Sequence, residues 1–203
     1  MKPRYQILLA LGALLAGSGC NIIPPASADA THYYVLTTLP PKPAMISFAG
    51  AHWRIALRPV EVAKYLHGKA MEVRVAGNEV TYADEARWAE SLEAGLTRVL
   101  RESLEGRGGV AHVVSSPGEE HDFEVAVRLE RCEGDRAAKV ARLTAVVEIY
   151  HAGLGTERRA REVFTSEVPG WDGSYGQLAL KLSEAADGLA DHIATMLAAV
   201  EKK

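Results

Sequence analysis

Twice along this chain a run of alternating apolar and polar residues gives way to an apolar stripe at helical spacing, and that order leaves few architectures open. Trp53, Ile55 and Leu57 alternate with Arg54 and Arg58, the period of a half-buried strand, and Thr31–Leu36 before them is rich in aromatic and β-branched residues. Met71–Val75 and Glu79–Tyr82 flank Gly77-Asn78 and read as a hairpin. From Asp84, a candidate N-cap, the residues Trp88, Leu92, Leu96, Val99 and Leu104 predict a helix that Gly106, Gly108 and Gly109 stop after Glu105. The second half repeats the order. Val110–Val114 is a short strand; Phe123, Val125, Val127 and Leu129 form a second, with a turn at Glu133-Gly134-Asp135; Leu143, Ala145, Val147 and Ile149 form a third. Gly153 and Gly155 turn the chain into Arg159–Val168, and the last three strands should make a meander. Ser174-Tyr175-Gly176-Gln177 is a capping-box pattern opening a helix with Leu178, Leu182, Ala185, Leu189, Ile193, Met196 and Val200 on one stripe. The prediction is an α+β fold: a largely antiparallel sheet covered on one face by two amphipathic helices.

The segment before the first strand reads differently. Met-Lys-Pro-Arg is a short basic start, Ile7–Leu15 is an unbroken apolar or small run, and Ala16-Gly17-Ser18-Gly19 precedes Cys20. This is the layout of a lipoprotein export signal over residues 1–19, too short for the roughly 20 apolar residues that span a bilayer. Cleavage would make Cys20 the N-terminus, carrying a diacylglycerol on sulfur and an acyl chain such as palmitate on nitrogen; several chains anchor stably where one does not. Gly17 stands where a lipobox usually has Leu, so an ordinary secretory cut near Ala16 or Ser18 stays open. Residues 20–30 are the lipidated cysteine and a Pro/Ala/Ser tether, which reaches at most roughly 30 Å, and residues 31–203 are read as one domain. Loss of Lys2 and Arg4, and of no acid, makes the net charge of −3 more negative, which argues against nucleic acid as a partner. Beyond Cys20 only Cys132 remains, so no internal disulfide forms, and seven scattered histidines give no zinc spacing.

Several segments, in order, carry a family likeness: the cysteine and its tether, Tyr33-Tyr34-Val35-Leu36, Ala56-Leu57-Arg58-Pro59-Val60 with Val62 and Tyr65-Leu66, Arg87-Trp88-Ala89-Glu90 opening the first helix, and Leu189, Ala190 and Ile193 in the last. With these the chain resembles the ABC-type transport auxiliary lipoproteins, which include the lipoprotein of the paraquat-inducible membrane-integrity operon. The resemblance implies a non-enzymatic subunit without a cofactor, accompanying an inner-membrane permease and ATPase and a partner with mammalian-cell-entry (MCE) domains that carries lipid across the periplasm. It implies anchorage at the periplasmic face of the outer membrane, as Asn21 after the cysteine does by the usual sorting rule, and a homo-oligomeric ring against a tubular partner stays open.

For partner or lipid binding the candidates are Tyr33, Tyr34, Arg58, Pro59, Tyr65, Leu66 and Trp171. Aromatic side chains are favoured at interface hot spots, and a proline-broken segment after a strand is a loop of the kind that carries function. Each has a structural alternative. One of the adjacent Tyr33 and Tyr34 must point inward, Arg58-Pro59 with Tyr65-Leu66 reads equally as a packed crossover, and Trp171 as an exposed tip or a staple on the core; Trp88 belongs to the helix stripe. No catalytic motif is present: no Gly-x-Ser-x-Gly, no His-Glu-x-x-His and no P-loop. Glu119-Glu120-His121-Asp122 reads as a solvated turn, Gly153-Leu154-Gly155 as a hairpin turn and Cys132 as structural. The competing readings are a membrane-tethered periplasmic hydrolase with a site scattered in sequence, and an assembly lipoprotein for another outer-membrane complex.

Overall fold

The computed structural model describes residues 30–40, 53–105, 107, 109–114, 118–153 and 157–201. The export signal, Cys20, the tether up to residue 29 and the turn residues Leu154 and Gly155 lie outside them. In chain order the strands are β1 (His32–Tyr34), β2 (Trp53–Leu57), β3 (Glu61–Val62), β4 (Ala70–Ala76), β5 (Glu79–Trp88), β6 (Val110–Val114), β7 (Phe123–Asp135), β8 (Val140–His151) and β9 (Arg158–Pro169). The helices are α1 (Leu92–Glu105) and α2 (Tyr175–Glu201), and a 3-10 turn, Lys64–Leu66, follows β3.

Strand β7 is the spine of one mixed sheet. Along one edge it receives three parallel partners in succession: β2 opposite Phe123–Val125, β3 opposite Arg128 and Leu129, and β4 opposite Gly134 and Asp135. Along its other edge β8 runs antiparallel over its whole length, and β9 continues the meander. At one end the sheet extends through β4, β5 and β1, at the other through β2 and β6. The long ladders are antiparallel, as the alternation implies; the short parallel ones carry no signal within a single strand.

The first helix begins later than the sequence pattern predicts. Asp84–Trp88 is the end of β5, where Ala86 and Arg87 pair with His32 and Tyr33 of β1, and Trp88 N–H donates to Lys69 O. The spacing of Trp88 and Leu92 fits a helix only because both are buried. The helix N-cap is Ser91, whose Oγ accepts from Ala94 N–H at 3.3 Å. Likewise Glu133-Gly134-Asp135 is strand and not turn. A bulge between Leu129 and Arg131 inserts a residue. It flips the phase of β7, so Cys132 and Gly134 take the inward positions that Phe123–Leu129 occupy before it. The turn is Arg136–Lys139, with Lys139 at φ 55 and Asp135 Oδ1 accepting from Ala138 N–H.

One hydrophobic cluster joins both helices to the face formed by Val125, Val127 and Leu129 of β7 and Leu143, Ala145, Val147 and Ile149 of β8, with α2 over β8 and β9 and α1 against α2, β6 and β3. The meeting stripes are Leu96, Val99, Leu100 and Leu104 on α1 and Leu178, Leu182, Leu189 and Ile193 on α2, all fully buried. At about 1.5–3 kcal/mol for each large aliphatic side chain, this layer is the principal stabilising term. Ser174 caps α2 through Gln177 N–H, 3.3 Å, but Gln177 Oε1 accepts from Asp172 and not from Ser174, so only half of the capping box forms. Leu36 to Thr38 wedge between the helices, with Arg98 donating to Leu36 O and Thr37 N–H to Ser183 Oγ. Arg107 ties the end of α1 to Asp187 and Asp191 of α2. Among the described residues no helix is long and apolar enough to cross a membrane.

Candidate functional site

On the helix-free face the sheet alternation turns Glu124, Ala126 and Arg128 of β7, Glu148 and Tyr150 of β8, and Arg158, Arg161 and Val163 of β9 outward, and the ladders place them in rows. Arg58, at the end of β2, joins them. Its guanidinium makes two hydrogen bonds to Glu124, Nε–Oε1 2.5 Å and Nη2–Oε2 3.0 Å, and lies 4.9 Å from the centre of the Tyr150 ring. Tyr150 donates to Glu148 Oε2 at 2.9 Å, and Arg158 and Arg161 reach the other oxygen at 3.0 and 3.3 Å. The Arg58 hydrogen bonds hold Glu124 below the usual carboxylate range, and the Tyr150 hydroxyl, followed by Arg158, does the same for Glu148. Arg58 is raised by its bond to Glu124. Beside this chain of charges a shallow recess is walled by Arg58, Pro59, Glu61, Arg128, Glu148 and Arg161. It presents fixed donors and acceptors of both signs, Arg58, Arg128 and Arg161 beside Glu61 and Glu148.

At the β4 corner the same face is closed by the 3-10 turn. Arg74 Nε and Nη2 grip the fully buried Glu133 at 2.5 and 3.1 Å. The Tyr65 hydroxyl donates towards Glu130 O, 3.1 Å, and Glu133 Oε2, 3.3 Å. Burial, reinforced by Glu133, pushes the Tyr65 hydroxyl well above the usual tyrosine range. Tyr65 is thus half-buried and committed to the protein's own network.

The residues singled out in the sequence part company here. Tyr33 is 60% exposed on edge strand β1, while Tyr34 turns in beside Gly176 at the start of α2. Arg58 and Pro59 are exposed at the recess. Leu66 and Trp171 are buried, 1% and 3% exposed, and offer no surface to a partner. The Trp171 ring lies against Gly134, and its Nε1 donates to Ser174 O at 2.8 Å, so it staples the start of α2 to β7. Cys132 is wholly buried, and desolvation pushes its thiol far up, the opposite of an activated nucleophile. Glu119–Asp122 do not converge: His121 bonds Glu119 O, Asp122 accepts from Arg54 N–H, and Glu120 pairs with the Arg54 side chain. Among the described residues no group of three His, Cys, Asp or Glu is placed to hold a metal ion. The partners that complete the site, Glu124, Glu148, Tyr150 and Arg161, were visible only as polar members of alternating runs; cross-strand register brings them to Arg58.

Comparison with solved structures finds the same fold in a Xanthomonas campestris protein assigned to the DUF330 family, with TM-score 0.69 and 19% identity over 84% of this chain and 97% of that one. A second structure, of an uncharacterized protein, superposes with TM-score 0.67 and 18% identity over 82% and 98%. Comparison with curated proteins finds no match. The ABC-type transport auxiliary lipoprotein component family matches residues 34–194, from the end of β1 to the last turns of α2. The chain belongs to that family.

Proposed function

We propose that this protein is the outer-membrane lipoprotein of an ABC-type envelope lipid-transport system, anchored through Cys20 at the periplasmic face, docking to an MCE-domain partner and so maintaining membrane integrity. The observation that carries the reading is the family match, which spans nearly the whole described fold. The geometry supports a binding and not a catalytic part: the exposed constellation at Arg58 is ion-paired and open, and the one described thiol is buried. In this reading the protein needs no cofactor beyond its acyl chains. Arg58 and Pro59 at the recess, with the exposed Tyr33, are the contact residues.

The test is crosslinked purification of the full-length protein from membranes, identifying partners and the mass of the N-terminal peptide together. The expected result is an acylated Cys20 peptide and an MCE-domain protein joined near Arg58 or Tyr33. An unmodified N-terminus with no envelope partner would sink the proposal and return attention to a soluble hydrolase.

A further inference from the structure

Strand β9 is bonded to β8 alone, and among the described residues its outer edge has no strand partner. The other ends of the sheet are short, three residues in β1 and five in β6, whereas β9 has twelve. A free edge of that length displays backbone donors and acceptors ready to pair with another strand.

The irregularities of β9 select one register. Its ladder with β8 pairs Ile149 with Ala160 and Tyr150 with Arg158, leaving Arg159 as an extra, bulged residue. At the far end Pro169 has no N–H to donate. The regular segment is therefore Ala160–Val168, with Phe164 at its midpoint. Only a two-fold axis at Phe164 lets this whole segment pair antiparallel with a copy of itself. Arg161 then lies opposite the second copy's Glu167 at two symmetric places, Val163 opposite Thr165, Glu162 opposite Ser166 and Ala160 opposite Val168. No like charges meet. An axis at Arg161 or at Glu162 would set that residue against itself, which is unfavourable between directly opposed side chains. The register also gives cover to Val163, which is 58% exposed beside Val146 on the open face. Helix α2 packs beneath β8 and β9, so the two copies of it would sit about two strand spacings apart, roughly 10 Å, near the usual distance for packed helices.

We propose that the outer edge of β9 is a homodimer interface, in which two copies pair their β9 strands antiparallel about Phe164 and merge their sheets into one. This isologous contact rests on the edge and its charge pattern and stands independently of the transport reading.

Sedimentation of the full-length protein in detergent tests it. The wild type should be dimeric or a multiple of the dimer. Arg161→Glu should raise the dissociation constant at least tenfold, and Arg161→Glu with Glu167→Arg should restore it. Under mild oxidation, a mixture of Val163→Cys chains and Thr165→Cys chains should form a mixed disulfide that the wild type lacks. A monomer at every concentration would overturn the proposal, as would a dimer indifferent to both charge reversals and giving no mixed disulfide. A monomer whose β9 instead takes up a strand of another envelope protein would also overturn it.

Discussion

Glu72 is 1% exposed on β4, and among the described residues neither of its carboxyl oxygens has a hydrogen-bond partner. Burial pushes its pKa up to about 8, reinforced by the charge of Glu133. Its own backbone and the nearby Trp88 indole offset this only in part. The unfolded chain releases this proton near 4.5. The native state therefore binds more protons between these values, and stability must fall as pH rises through that window. Below it the stabilising contribution is fully present, and above about pH 8 it is lost. Glu72→Gln, which stays neutral, is expected to flatten this dependence and to be more stable than the wild type at pH 8.5. Urea unfolding at pH 5 and pH 8.5 checks it, and equal slopes in the two proteins would refute it. Gly134 is a second residue with a specific demand. A Cβ there would lie 2.6 Å from two atoms of the Trp171 ring. Gly134→Ala is expected to cost about 1–3 kcal/mol as an overpacking change, read as a lower urea midpoint with an altered Trp171 fluorescence.

The elements differ in how far the sequence announces them. The β7–β9 meander is legible because one face is core and the other is wet, so Phe123–Leu129 and Leu143–Ile149 alternate. The hairpin at Gly77-Asn78 and the cap at Ser174 are legible because local backbone geometry demands their residue types. The end of β5 is not, since its strand state depends on β1, more than fifty positions earlier in the chain, lying alongside. The bulge in β7 is hidden for the same reason: it shows only across the ladder, where Leu129 pairs with Ala145 but Arg131 with Thr144 of β8. Arg74 and Glu133 show the energetic side of such distant pairing, because their ion pair clamps β4 to β7 at 2.5 Å with Glu133 wholly buried. Arg74→Met leaves that carboxylate buried without its cation and is expected to destabilise the protein by about 3–5 kcal/mol. The double variant Arg74→Met, Glu133→Leu is expected to recover most of the loss. Thermal or urea unfolding of the two variants decides this, and an equally unstable double variant would show that the clamp is not the cause.

Across the whole molecule, the sheet has one face sealed by helices and one left open, and this asymmetry explains how the site was only half legible. Arg58 and Pro59 stand out locally as a proline-broken strand end. Their companions on β7, β8 and β9 are ordinary polar members of strands until register assembles them. Leu66 and Trp171 stayed open between surface and core in the sequence because a large apolar residue beside a breaker looks the same whether the loop stands free or folds back. The position of β7 carries one more consequence, in time instead of space. Among the described residues β3 has no strand neighbour but β7, and β2 and β4 reach the β8–β9 part of the sheet only through it. A chain emerging from its N-terminus first therefore presents β2, β3 and β4 before the strand that receives them exists. The β4–β5 hairpin with β1 beside it, and β2 with β6, can pair earlier, but joining these pieces into one sheet must wait for β7, and the non-local parallel docking onto it should be the slow step of folding.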